Sequence, residues 1–353
     1  MSTSEHTLQI ARGLASQGHF DAALSLLQPM GQGPQPDPRV LNLLGSVQLQ
    51  TGRIDDAIRT LERAAPLSEG SGIPYINLGH ALRKAQRFTD AVEAFRAGTR
   101  LSPREPEGFV GLGEALLESS QFAQAHQAFT ESLPLMGERA AQRERAQAGH
   151  FATAPFWWRS HRYGPVELRP LTLEDVPFFA ECSADRTFMD HFNAPQTPTI
   201  DQDGLASRIE QEARLAPVQR GNIKWVIWHA ATNQRIGLAG IPSFHLLNRK
   251  AEVAVGVRGA HASSGTGIAA FLGVLDFAFE RLGTHKTQAL VYQTNPNALK
   301  QLIALGFDQE GLLKDEILLP DGRWLHVHSM ALFQTRWNTL PRLLALRTRF
   351  HST

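Results

Sequence analysis

Residues 251–279 read AEVAVGVRGAHASSGTGIAAFLGVLDFAF, and the fold turns on how this stretch is parsed. Ala251 to Val257 alternates, with Val253, Val255 and Val257 on one face, the period-2 pattern of a half-buried strand. A loop of Gly, Ala and Ser follows, and an apolar helix then runs from Ile268 to Leu282. Small residues let the backbone N–H groups of such a loop turn inward, and a helix N-terminus adds partial positive charge. The combination suits a phosphate or pyrophosphate. A plain helix-capping loop has the same composition, so Gly265-Thr266-Gly267 alone does not separate the two. The loop carries no Gly-Lys-Ser/Thr of a nucleotide-binding P-loop, and the surrounding elements do not follow a dinucleotide-binding βαβ repeat.

The flanking segments alternate strands and helices. Val166 to Leu168 is expected as a short strand, Thr172 to Asp175 as a helix start, and Asp201 to Ala213 as a helix. Lys224 to Ala231 is β-rich and ends at Thr232-Asn233-Gln234, a turn signal, after which Arg235 to Phe244 returns as its partner. Gln288 to Tyr292 is a strand and Ala298 to Leu305 a helix stopped by Gly306. Strands near 310–319 and 324–333 flank the Asp321-Gly322 turn. This half is therefore α/β, with a mixed, mostly antiparallel sheet and one internal βαβ unit.

The first half has a different period. Gly45, Gly79 and Gly113 lie 34 residues apart, and Ala11 lies one period upstream. Twelve residues after each stands alanine (Ala23, Ala57, Ala91, Ala125). Four further on stands Leu27, Leu61, Phe95 or Phe129. Each unit reads as two amphipathic helices joined at Gly18 or Gly52. The small residues allow close helix approach, and the large residue one turn on fills the gap. This pattern resembles the tetratricopeptide repeat over residues 4–137, as four units of an all-α solenoid. Such stacked helix pairs commonly bind a protein or peptide in their groove. Here Asn42, His80, Arg83 and Glu114 are expected to line it. Substrate capture and a scaffold or dimerisation role stand side by side. Residues 138–163 are expected as a linker and capping helix. Phe156-Trp157-Trp158 in that segment suits stacking on a ligand or, preferentially, an interdomain contact.

Composition narrows the class. The chain has 353 residues, enough for roughly two domains at ~150 residues each. Lys+Arg 35 against Asp+Glu 34 gives a net charge of +1, which disfavours nucleic acid or a membrane surface as a bulk electrostatic partner. One cysteine, Cys182, excludes an intrachain disulfide framework and a Cys-based metal site. No apolar run reaches the ~18 residues of a membrane span, and MSTSEHTLQI lacks the basic and apolar regions of a secretory signal. A cytoplasmic protein with no metal is the expectation.

From Glu252 to Phe307 the chain resembles the GNAT N-acetyltransferase superfamily, in particular its RimJ/RimL-like branch. The matching pieces are Glu252-Val253-Ala254-Val255-Gly256-Val257, Gly265-Thr266-Gly267, Asp276-Phe277-Ala278-Phe279, Gly283-Thr284-His285-Lys286, Asn295 and Leu305-Gly306-Phe307. A weaker likeness covers 164–338, including Leu168-Arg169-Pro170-Leu171 and Ile236-Gly237, and leaves 339–353 as a basic C-terminal tail.

The resemblance implies a GNAT fold and acetyl-CoA as acyl donor. Its pantetheine would pair with the backbone at Val255, Gly256 and Val257. Its pyrophosphate would sit on the amides of Ser263, Ser264, Gly265, Thr266, Gly267 and Ile268. Asn295 would hold the pantetheine or cysteamine amide. An amine acceptor attacks the thioester directly, and Glu252 matches a strand carboxylate that acts as general base. A solvent-facing or salt-bridged glutamate is the alternative for Glu252.

Three positions depart from the family pattern. Ala262 stands where Arg or Gln usually begins the loop, leaving the hydroxyls of Ser263, Ser264 and Thr266 to compensate in part, with Arg258 nearby in sequence. Ala298 stands where the branch often has serine. His326, with His328 at alternate spacing, stands where an acidic residue is common; the two act on the amine or line the sheet. The resemblance thus implies an N-acetyltransferase for a protein or peptide amine recruited by the array. A small amine such as a nucleotide-linked amino sugar, and a non-catalytic repeat protein with a degenerate GNAT domain, remain as alternatives.

Overall fold

The computed structural model describes residues 3–33, 35–185, 187–189, 201–259, 261, 265–319 and 321–351. The chain forms two compact units, Met1–Pro155 and Phe156–Thr353.

The first unit is helical: α1 (Thr3–Ser16), α2 (Phe20–Gly31), α3 (Pro38–Gln50), α4 (Ile54–Leu67), α5 (Ile73–Lys84), α6 (Phe88–Leu101), α7 (Pro106–Glu118), α8 (Phe122–Ser132) and α9 (Ala140–Ala152). Leu27, Leu61, Phe95 and Phe129 are all fully buried. A Cβ placed on Gly45 would lie 2.5 Å from Leu61, one on Gly79 2.8 Å from Phe95, and one on Gly113 2.8 Å from Phe129. The small residue is thus what lets the large one seat. The array continues into α9, where a Cβ on Gly149 would lie 2.2 Å from the Phe129 ring. The turns between paired helices hold Gly18 and Gly52 at φ 83° and 76°. The corresponding positions in the next two units keep the left-handed conformation with Gln86 (φ 59°) and Ser120 (φ 60°), where a side chain makes it costly.

The first helices of successive units contact one another, and their polar side chains join across the seams. Asn77 Nδ2 donates to Asn42 Oδ1 at 2.8 Å. Arg83 pairs with Glu114 and Glu118, and Arg145 with Glu114 (2.8 Å) and Glu107 (3.1 Å). His80 lies 3.3 Å from Glu107. Burial alone would push the Glu107 carboxyl up, but the His80 hydrogen bond and the Arg145 charge hold it down at about 2.

The second unit opens with β1 (His161–Tyr163) and β2 (Val166–Pro170), so its first strand precedes the expected start at 164. The capping box of Thr172 and Asp175 leads to α10 (Val176–Ala184), and α11 (Gln202–Ala213) starts at Asp201, whose side chain accepts from the N–H groups of Asp203 and Gly204. Then come β3 (Ile223–His229), β4 (Gln234–Ile241), β5 (Phe244–His245), β6 (Lys250–Glu252), β7 (Ala254–Val257), α12 (Thr266–Asp276), β8 (Lys286–Tyr292), α13 (Pro296–Ala304), β9 (Asp308–Leu318) and β10 (Trp324–Phe333). Two five-stranded sheets result, ordered β1-β2-β3-β4-β7 and β5-β6-β8-β10-β9. All pairings are antiparallel except β6 with β8, which α12 connects as a crossover.

Two expected single strands each divide between the sheets. Arg235 to Phe244 breaks after Ile241, where Pro242 has no N–H for a ladder. Ala251 to Val257 breaks at Val253: β6 pairs with β8, whereas β7 pairs with β4.

The aromatic cluster falls inside this second unit. Trp157 is buried, with its ring 5.9 Å from Phe277 and 6.1 Å from Phe244, and Phe156 lies 5.6 Å from Phe277. These contacts are core packing of the unit itself. After α14 (Gln334–Thr339), the basic stretch at 339–353, in which Leu340 to Phe350 reads as an amphipathic helix, forms α15 (Pro341–His351). Arg347 lies 4.2 Å over the Trp337 ring and pairs with Glu280 at 2.9 Å.

Candidate active site

The division at Val253 makes the site. Val253 N–H still donates to Gln288 O on β8, at 2.8 Å. Five residues on, Arg258 N–H donates to Ile236 O at the start of β4, also 2.8 Å. Strand alternation therefore directs the backbone groups of Val255 and Val257 away from β4, toward the side that β8 has left. β7 is the edge strand of its sheet. Between the diverging strands lies an edge of free pairing geometry, suited to an amide-containing chain laid along it. Gly237 sets the closeness of β4 to β7: a Cβ there would lie 2.1 Å from Gly256 O.

Helix α12 begins just beyond this edge. Gly265 is its N-cap, at φ 78°, and Ala269 N–H makes the first intrahelical bond, to Gly265 O at 3.1 Å. The N–H groups of Thr266, Gly267 and Ile268 precede that bond and point out of the helix end. Among the described residues, a Cβ on Gly265 would meet nothing within 4 Å, and one on Gly267 would reach Val257 Cγ2 alone, at 3.9 Å. Thr266 is buried, and its hydroxyl donates to His261 O at 2.5 Å. Ala262, Ser263 and Ser264 lie outside the described residues.

Asn295 caps α13. Its Oδ1 accepts from Ala298 N–H at 3.1 Å, which leaves the carboxamide NH2 as the donor. Its own N–H bonds Tyr292 O at 2.9 Å, closing the turn that ends β8.

Glu252 sits directly opposite Gln288 in the parallel β6–β8 register. Its carboxyl is half-buried and its pKa is raised by burial, partly offset by Ser243, whose hydroxyl lies 3.4 Å away. A carboxylate whose pKa burial has raised is a better proton acceptor for an ammonium group than an ordinary exposed one. Gln288 Nε2 donates to Ser329 Oγ at 2.8 Å on the same face. Tyr292, four residues beyond Gln288, shares that face. Only the β6–β8 register, not the sequence pattern, brings it onto the face of Glu252.

Other expectations resolve differently. Arg258 does not turn toward the loop: it pairs with Glu181 (3.2 Å) and Asp185 (3.5 Å). His326 Nδ1 accepts from Asp315 N–H at 3.1 Å, while His328 stands half-buried on the opposite sheet face from Glu252. Cys182 is buried, and its thiol is pushed up to about 12 by desolvation, so it stays protonated. Among the described residues no group of three or more His, Cys, Asp and Glu is placed to hold a metal ion, and no helix is long and apolar enough to cross a membrane.

Comparison with known proteins agrees with this arrangement. The GNAT acetyltransferase domain matches residues 166–308, and tetratricopeptide repeats match residues 14–70 and 76–149. The uncharacterized N-acetyltransferase YoaA of Bacillus subtilis (strain 168) is 26% identical over 147 residues, covering 42% of this chain and 81% of its own. The uncharacterized N-acetyltransferase p20 of Bacillus licheniformis is 25% identical over 172 residues, covering 49% and 94%. Among solved structures, a spermidine N-acetyltransferase from Vibrio cholerae, in complex with CoA and spermine, overlays with a TM-score of 0.44 at 24% identity, covering 50% of this chain and 99% of that one. The chain carries tetratricopeptide repeats followed by a C-terminal GNAT domain, and it is an acetyl-CoA-dependent N-acetyltransferase.

Proposed function

We propose that the chain acetylates a primary amine on a protein or peptide recruited by its repeat array, with Glu252 as the base. The supporting observation is one chain that joins a polar-faced helical array to a half-buried carboxylate beside an open strand edge. The reading includes the RimJ/RimL-like branch, which rests on the order of Gly265-Thr266-Gly267, Asn295 and Leu305-Gly306-Phe307, and a cytoplasmic setting.

The residues present fit acetyl-CoA, which supplies the activated acetyl thioester when bound. Val255, Gly256 and Val257 offer a strand edge for its amides, and the Asn295 NH2 a further donor. The outward N–H groups of Thr266, Gly267 and Ile268, with the N-cap Gly265, form an anion seat that Ser263 and Ser264 extend in sequence. The Val255 N–H would polarise the thioester carbonyl. Glu252 takes the proton from the acceptor's ammonium group.

Acetylated proteins and small amines measured by mass spectrometry, in cells with and without the gene, test the acceptor class. Gene-dependent acetylation of proteins is expected. Asn42→Ala with Asn77→Ala is expected to lower kcat/KM for the protein acceptor and to leave turnover of butylamine unchanged. Acetylation confined to small metabolites contradicts the recruitment role.

A further inference from the structure

We propose that Tyr292 is a second residue of the acceptor site, its phenol and the Glu252 carboxylate gripping the incoming ammonium group from two sides. This deepens the reading above and rests on Glu252 serving as the base.

The register places the two residues. Glu252 lies opposite Gln288 across the parallel β6–β8 pair, and strand alternation puts Gln288, Leu290 and Tyr292 on the same face. Tyr292 is the last residue of β8, where that strand has already parted from β7. It stands ~13 Å of strand beyond Gln288, a gap that the long phenol side chain shortens.

Both groups are short of partners. Among the described residues, the one hydrogen-bond partner of Glu252 is Ser243 at 3.4 Å, longer than the 2.5–2.7 Å or so typical of a hydroxyl on a carboxylate. No described side chain hydrogen-bonds the Tyr292 hydroxyl, and it is half-buried. The two nevertheless sense each other: the phenol is pushed up by burial and further by the Glu252 charge, so it keeps its proton through neutral pH. A carboxylate and a neutral phenol on one sheet face, not bonded to each other, suit a group with three donors, a protonated primary amine.

The chemistry follows from that placement. The ammonium gives one proton to Glu252, and the phenol oxygen accepts a hydrogen bond from a remaining N–H, which orients the nitrogen lone pair. The C–N bond forms as the C–S bond breaks, with the bonding pair leaving on sulfur. The second N–H proton departs to water, and the thiolate is protonated from solvent.

The full-length protein suits a direct test because its only tyrosines are Tyr75, Tyr163 and Tyr292. With 13Cζ-labelled tyrosine and bound CoA, butylamine is titrated while the ring signals are followed, the Tyr292 signal being assigned by Tyr292→Phe. The Tyr292 signal is expected to shift saturably while the other two stay still, and Glu252→Gln is expected to weaken the response roughly 10-fold. In turnover, Tyr292→Phe is expected to lower kcat/KM for butylamine about 10-fold, leave KM for acetyl-CoA unchanged, and cost less in the Glu252→Gln background. A Tyr292 signal that ignores the amine, beside an intact acid limb in the pH–rate profile, removes Tyr292 and spares the base. Full turnover by Glu252→Gln removes the base and the pair together.

Discussion

The two units use glycine and glutamate in opposite ways. In the repeat array, Gly79, Gly113 and Gly149 are filled: a large ring occupies the place where each Cβ would stand. In the GNAT domain, Gly265 and Gly267 meet no close neighbour among the described residues, with Val257 Cγ2 alone in reach at 3.9 Å. The glutamates follow suit. Glu107 is pinned at about 2 by His80 and Arg145 against the pull of burial, whereas Glu252 is pushed up by burial with only a distant hydroxyl to oppose it. A scaffold completes its packing and its polar pairs; a site leaves both for a ligand to complete.

The sharpest way to break this comparison is Glu252→Gln. Removing a general base is expected to lower kcat by about 100-fold or more. In the wild type, activity is present above the raised pKa of Glu252 and lost as pH falls through it, so the acid limb lies above the ordinary carboxylate range. Stability runs the other way. A raised folded pKa means that ionised Glu252 burdens the fold at neutral pH, so Glu252→Gln is expected to raise the thermal midpoint at pH 7 and not near pH 4.

Filling a filled glycine comes next. Gly149→Ala is expected to cost the array about 1–3 kcal/mol in a denaturant titration, since the Phe129 ring must shift, while butylamine turnover is retained. Arg145→Ala is expected to cost about 1 kcal/mol, discounted for the partial exposure of the arginine. Because the Glu107 pKa is lowered on folding, that cost is present at neutral pH and fades as pH falls toward 2, which unfolding at several pH values would follow. The smallest effect should come from Ser120→Gly, which relieves a left-handed side chain and is expected to stabilise the array by roughly 0.5–1 kcal/mol.

Much of this was legible in the residues. The 34-residue period announced the array, and its glycine–aromatic contacts follow from small and large residues at fixed offsets. The strand and the helix that flank the loop at 258–265 were also readable in the residues. The break at Val253 was not legible, because an alternating Val253, Val255, Val257 reads as one strand, and only pairing to two neighbours reveals the fork. The pair of Glu252 and Tyr292 was hidden for the same reason: residues 40 apart share a face only through the parallel register. Arg258 looked available to the loop by proximity along the chain, yet two carboxylates near the end of α10 hold it.

The open glycines carry the central claim, and calorimetric titration of acetyl-CoA into the wild type and Gly267→Val tests it most directly. Among the described residues a Cβ at Gly267 meets no clash, so the thermal midpoint without ligand is expected to stay put. Affinity for acetyl-CoA is expected to fall by about 100-fold, because the side chain occupies the space before the outward N–H groups of α12. Equal affinity in the two proteins would contradict the assignment of that opening as the cofactor seat.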